Sequence, residues 1–243
     1  IDLAKQKPKQ ILFAEADHIK ILKAAQILQD EKIAYPILLG SRDEIERLIQ
    51  EHNLELGDCK IIDPREEKER TEKYAQAYHK KRQRKGITLK DAARVMRDRN
   101  AFGAMMVEFG EADALVSGLT KDYPKTILPS LQIIGMAEGV NRVAGMYIIM
   151  NKKGTFFFAD CTVNQDPSAD ELVEIIGLAA GGVKFFDIEP RVAVLSYSNF
   201  GSSKGDIPTK TREAVKLAKA KYPKLIIDGE IQANVAFDVE LQR

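Results

Sequence analysis

The stretch "ILFAEADHIKILKAAQILQDEKIAYPILLG", residues 11–40, decides the fold. Two short apolar runs, "ILFAEA" and "YPILLG", flank a longer segment in which Ile19, Leu22 and Ile27 recur at helical spacing. That is a strand, an amphipathic helix and a second strand, the rhythm of a parallel sheet. The pattern continues outward: "SRDEIERLIQEH" reads as a helix capped by Ser41 with Glu44 at its third position, and "CKIID" and "DALVSG" read as further strands. Two helices are expected between those last two runs. One is the highly charged "REEKERTEKYAQAYHKKRQRKG", with a narrow apolar stripe around Tyr74 and Tyr78. The other, "TLKDAARVMRD", is capped by Thr88 with Asp91 and buries Ala92, Val95 and Met96.

Past residue 138 the texture changes. "AGMYIIM" and "TFFFADC" are separated by the polar turn "NKKG" and predict a hairpin, and a helix capped by Ser168 with Glu171 follows. Then come the strand "RVAVLSYS", the helix "TKTREAVKLAKAKY" and the strand "LIIDG". The expected architecture is α/β with two lobes, residues 1–138 and 139–243. The 243 residues suit two modest domains better than one large one.

Composition narrows the function. Apolar residues make up 44% and charged residues 30% of the chain, with no run long enough to span a bilayer. The 37 basic residues balance 36 acidic ones to a net charge of +1, which removes the electrostatic case for nucleic-acid binding. Cys59 and Cys161 form neither a CxxC nor a Cys/His pattern, so reduced thiols in a cytoplasmic protein are expected, with Cys161 buried and no metal site. The start "IDLAKQKPKQ" has no secretory signal and no Met, which suggests a piece of a longer chain.

Candidate chemistry gathers at strand ends, where loops and helix N-termini offer backbone N–H groups to anions. The loop "SYSNFGSSKG" presents the hydroxyls of Ser196, Ser198, Ser202 and Ser203, with Asn199, and with Gly201 and Gly205 allowing close approach. That composition suits phosphate oxygens and equally suits a solvated connector; neither GxxxxGK[ST] nor GxGxxG occurs in the chain. A second loop, after "DALVSG", offers Ser117, Thr120, Lys121 and Lys125. Asp160, Asp228 and Glu230 are strand-end carboxylates for which bonding of loop amides is expected. His18, His52 and His79 lack a paired nucleophile.

Taken in order, "RKGITLKDAARVM", "FGAMMVEFGEADALVSG", "LPSLQIIG", "FFFADCTVNQDPSADELVEI", "RVAVLSYSNFGSS" and "IIDGEIQANVAF" resemble the phosphate acetyltransferase (phosphotransacetylase) family. The loop "SNFGSS" is closer still to the phosphotransacetylase-like C-terminal domain of bacterial NADP-dependent malic enzymes. The resemblance implies a two-lobed α/β/α fold related to isopropylmalate dehydrogenase, with mostly parallel sheets and a second lobe that is incomplete in this sequence. It further implies a homodimer and an acyl-CoA site bordered by the two strand-end loops. Arg82 stands where the family places one assisting arginine, and Leu128 replaces the other. On that substitution the expectation is a non-catalytic, acetyl-CoA-sensing regulatory and dimerisation domain with no catalytic residues of its own. NADP and a divalent metal would then belong to a covalently linked malic enzyme portion. The alternative is an active phosphate acetyltransferase.

Overall fold

The apolar runs of the first half become four parallel strands in the computed structural model, which describes residues 1–57, 59–238 and 240–241. They are β1 (Lys9–Phe13), β2 (Ala34–Leu39), β3 (Lys60–Ile62) and β4 (Ala114–Val116), ordered β3-β2-β1-β4. Register places Leu12 opposite Ile37 on one side and Leu115 on the other. Successive side chains point to opposite faces, so β1, β2 and β3 each feed two cores, while β4 adds Leu115 to one of them. Leu12, Ile37, Leu39 and Ile62 pack in one core with Tyr74, Met96 and Phe102. Phe13 and Leu38 pack in the other with Leu22, Ala25 and Ile45. Burial on both faces is why these strands read as continuous apolar runs.

A short helix, α1 (Asp2–Gln6), precedes β1; α2 (Ile19–Asp30) and α3 (Arg42–Glu51) follow β1 and β2. Between β3 and β4 stand three helices, α4 (Lys68–Arg82), α5 (Leu89–Val95) and α6 (Arg99–Glu108), where the sequence predicts two. The extra one, α6, is buried on every side from Asn100 to Met106. A helix that is apolar all round has no amphipathic period to betray it. Its Gly103 lets it sit against the sheet: a Cβ there would lie 2.8 Å from Leu115 Cδ1 and 3.0 Å from Leu39 Cδ1.

The Thr88–Asp91 capping box forms as expected. Ser41 precedes α3 but makes no side-chain cap bond, and the Glu44 carboxylate bonds Arg47 rather than the Ser41 N–H. After β4 comes α7 (Tyr123–Ile133).

The chain divides at 135/136 into units Ile1–Gly135 and Met136–Arg243. The second unit opens with the antiparallel hairpin β5 (Met146–Asn151) and β6 (Gly154–Ala159). It continues through α8 (Ala169–Lys184), β7 (Arg191–Leu195), α9 (Asp206–Lys221), β8 (Ile226–Ile231) and α10 (Ala233–Phe237). β7 and β8 pair in parallel, and Val194 and Ile227 share a core with Val173, Ile176, Val215 and Ala218. The Ser168–Glu171 capping box starts α8. Cys161 is exposed rather than buried, whereas the half-buried Cys59 donates to the Pro36 carbonyl at 3.2 Å, and burial pushes its thiol up to about 11. No helix among the described residues is long and apolar enough to cross a membrane.

Candidate functional site

In the first unit the strand order reverses between β1 and β4, and a doubly wound sheet opens its ligand crevice at the carboxyl ends of the strands beside such a reversal. The loop after β4 brings Ser117, Gly118, Leu119 and Thr120 there. Their donors are already taken by Glu15, which follows β1 and is 2% exposed. Oε2 of Glu15 accepts from the Gly118 and Leu119 N–H groups at 2.7 and 2.8 Å. Oε1 accepts from the Thr120 N–H at 2.7 Å and from the Thr120 hydroxyl. Gly118 holds φ +114°, a conformation that suits glycine. Burial would raise the Glu15 pKa, but the Thr120 hydroxyl and the three N–H groups outweigh it and lower the pKa to about 2. The nest that could receive an outside anion is thus closed by the protein's own carboxylate.

A cavity of about 380 Å³ remains beyond that closed turn, lined by Ser117, Lys121, Tyr123, Thr126, Ile127 and Ser130 among others. The Ser117 hydroxyl donates to Asn100 Oδ1 at 2.8 Å. Lys121 is held by Asp98 at 2.7 Å, and Asp98 also caps α6. Lys125 lies in the first turn of α7 and pairs with Asp122 at 2.7 Å. Leu128 is 51% exposed and is not part of the cavity wall; its neighbour Ile127 is. Arg82 ends α4, which is pinned to the end of α7 by Tyr78 Oη to Gln132 at 2.8 Å and by Lys81 to the Ile133 carbonyl at 2.7 Å. Among the described residues Arg82 has no carboxylate partner, and its Nε is buried without an acceptor.

The second unit repeats the arrangement. Ser198 is fully buried, and its hydroxyl donates to Glu230 Oε1 at 2.8 Å. The same oxygen takes the Gly201 N–H at 2.7 Å and Arg212 Nη1 at 2.9 Å. Burial raises the Glu230 pKa and these donors lower it, leaving the carboxyl below its ordinary value. Ser202 Oγ accepts from the Asn199 N–H at 2.9 Å, Ser198 Oγ from the Ser203 N–H at 3.0 Å, and Ser196 Oγ from the Ser198 N–H at 3.3 Å. Asn199 Oδ1 accepts from the Gln232 N–H at 2.7 Å. Most of the polar groups of this loop therefore bond one another or Glu230.

A third turn, after β6, closes on Asp160, which accepts from the N–H groups of Gly145, Thr162, Val163 and Asn164 at 2.8–3.1 Å. Asp228 pairs with Lys219 at 3.1 Å on the surface, and His18 caps α2 by accepting from the Lys20 N–H at 3.2 Å. Among the described residues no group of three or more His, Cys, Asp or Glu is placed to hold a metal ion.

The sequence reading missed Glu15, Asp98 and Arg212 as partners of the candidate loops. Only the acid ending "ILFAEA" hinted at the first, since pairing across 103 to 105 residues leaves no local signature.

Comparison with known proteins gives a consistent picture. The family described as "Phosphate acetyl/butaryl transferase" matches residues 1–243. A phosphate acetyltransferase of Bacillus subtilis (strain 168) is 42% identical over 231 residues, 95% of this chain and 71% of the relative. A solved phosphotransacetylase from Streptococcus pyogenes shares 37% identity and a TM-score of 0.87, covering 97% of this chain and 72% of that one. The NADP-dependent malic enzyme of Escherichia coli (strain K12) is 36% identical over 237 residues, 96% of this chain and 31% of the relative. The end-to-end likeness to phosphate acetyltransferases in sequence and fold corrects the expectation of a non-catalytic regulatory domain. One replaced arginine, at the exposed Leu128, is too little to set against it.

Proposed function

The chain belongs to the Phosphate acetyl/butaryl transferase family, and on that premise we propose that it is a phosphate acetyltransferase, moving acetyl between coenzyme A and inorganic phosphate. A phosphate oxygen attacks the thioester carbonyl, the new C–O bond forms, the C–S bond breaks, and the leaving thiolate takes up a proton. Negative charge grows on the carbonyl oxygen beside an anionic nucleophile, so donors and cations that are already in place lower the barrier.

The likeness to the Bacillus subtilis acetyltransferase over 95% of the chain carries this reading. The cavity beside β4 supports it with chemistry. Its size suits a small acyl or phosphoryl group, Leu115 and Ile127 offer apolar wall to a methyl, and Ser117, Thr126 and Ser130 offer hydroxyls. Lys121, held by Asp98, is the cationic side chain on the cavity wall. A cytoplasmic location belongs to the same proposal.

The test is thioester formation from acetyl phosphate and coenzyme A by the native polypeptide. Turnover on the order of 1–10³ s⁻¹ is expected, with kcat/KM falling about 10–100-fold in Lys121→Ala. A folded protein that forms no thioester refutes the proposal. The finer resemblance, a covalent link to an NADP-dependent malic enzyme portion that would hold NADP and a divalent metal, is supported by the Escherichia coli match. The mass of the native polypeptide, read with an antibody raised against this chain, tests it: a band near the chain's own 27.2 kDa refutes the link.

A further inference from the structure

The hydroxyls on the wall of the cavity beside β4 have a direction. A serine or threonine hydroxyl carries one proton and two lone pairs, so once its proton goes to the protein it faces a ligand as an acceptor. Ser117 gives its proton to Asn100 Oδ1 at 2.8 Å. Asn100 is 1% exposed at the start of α6, and Glu15 Oε2 lies 3.4 Å from the same hydroxyl. Glu15, ionised at neutral pH, can only accept. Turning the Asn100 amide over changes nothing: Ser117 would accept from Nδ2 and give its proton to Glu15, still keeping a lone pair for the cavity.

Thr126 does the same from α7. Its hydroxyl donates to the Asp122 carbonyl at 3.0 Å, the bond to residue i−4 that a threonine makes inside a helix. Ser117 and Thr126, both on the cavity wall, therefore have lone pairs and no proton left for a ligand. Lys121 shares that wall, and with one N–H on Asp98 at 2.7 Å it has two left to give. Two acceptors and one cation fit an anion that itself carries a proton. Inorganic phosphate at neutral pH keeps at least one P–OH, and sulfate, of the same tetrahedral shape, keeps none. A bare oxyanion would set its oxygens against the two lone pairs, and a site built to bond a hydroxyl rejects the analogue that lacks it.

We propose that Ser117 and Thr126 make this cavity specific for a protonated oxyanion, so that it takes hydrogen phosphate and turns away sulfate. Held by its P–OH, the phosphate keeps its unprotonated oxygens for Lys121 and for attack on a carbonyl carbon. The choice of phosphate as the occupant rests on the acyl-transfer reading. The demand for a proton rests on the directions of the two hydroxyls alone.

Calorimetric titration of the whole chain with inorganic phosphate and, separately, with sulfate, at neutral pH and equal ionic strength, tests it without any need for turnover. Phosphate should bind about 10-fold more tightly than sulfate, or better. Ser117→Ala combined with Thr126→Val removes both acceptors, so the two anions should then bind within about threefold of each other while the far-UV spectrum is kept. Ser117→Ala alone, the variant to use if the pair does not fold, should lower the preference about threefold or more. Thr126→Ser keeps the acceptor and should hold the parent's preference. Equal binding of the two anions by the parent overturns the proposal, as does a parent that binds no phosphate or a double variant that still prefers it. A chain that prefers phosphate as expected yet forms no thioester from acetyl phosphate and coenzyme A refutes the acyl-transfer reading and leaves this specificity standing.

Discussion

Replacing Glu15 by glutamine should cost the first unit most of the stability that its carboxylate supplies. The native group accepts four donors from Gly118, Leu119 and Thr120. A glutamine keeps one acceptor oxygen and turns an NH₂ toward two of those donors. A carboxyl held at about 2 rather than its ordinary 4.5 contributes about 3 kcal/mol at neutral pH, at about 1.4 kcal/mol for each tenfold change in proton affinity. Two donors left facing an NH₂ cost a similar sum, at about 1–3 kcal/mol each. The sign follows from the lowered pKa: the contribution is fully present above pH 4.5 and is lost as pH falls through 2. The chain has no tryptophan, so urea unfolding followed by far-UV circular dichroism is the assay, run on both proteins from pH 7 down to about pH 2.5. The expected result is a gap of about 3 kcal/mol at pH 7 that narrows steadily below pH 4.5. A gap under about 1 kcal/mol at pH 7, or one as wide at pH 2.5 as at pH 7, would show that Glu15 does not organise this turn electrostatically.

Three further outcomes follow from the same reading of buried groups and close contacts. Glu230→Ala removes the acceptor shared by Ser198, Gly201 and Arg212; because Arg212 is partly exposed, the loss should sit near the low end for a broken buried pair, about 3 kcal/mol by urea unfolding. Gly103→Ala drives a methyl to 2.8 Å from Leu115 Cδ1 and should destabilise by about 1–3 kcal/mol, with the loss of thermal stability seen by calorimetry. Leu128→Arg sits on an exposed position and should change stability by less than about 0.5 kcal/mol. If Arg82 and Lys121 already supply the charge, its thioester-forming rate should stay within about threefold of the parent, and a gain near the 10²–10³ expected for a missing donor refutes that assignment.

The elements were legible wherever a local rule operates. β1, α2 and β2 lie where the alternation of residues 11–40 puts them, and the capping boxes at Thr88 and Ser168 form as spelled. The rules failed where the local signal was absent or contested. α6 is apolar on all sides and gives no period, Ser41 makes no side-chain cap bond while the Glu44 carboxylate goes to Arg47, and Cys161 ends exposed in a turn organised by Asp160. The weight given to Leu128 misread function, because one position in a motif says less than the similarity of the whole chain.

From the sequence by itself come the α/β class, the hairpin after residue 138 and the loops at strand ends, since each depends on neighbours within a few turns of chain. Tertiary structure alone decides what those loops do with their donors. Glu15 reaches the turn at 118–120 across more than a hundred residues, and Glu230 reaches Ser198 across 32. Both loops had the composition of anion cradles, and in both a carboxylate brought in by the sheet takes the place an anion would have taken. Whether a hydroxyl is offered to a ligand or spent inside the fold depends on which distant acceptor the strand order sets beside it, and local spacing carries no record of that.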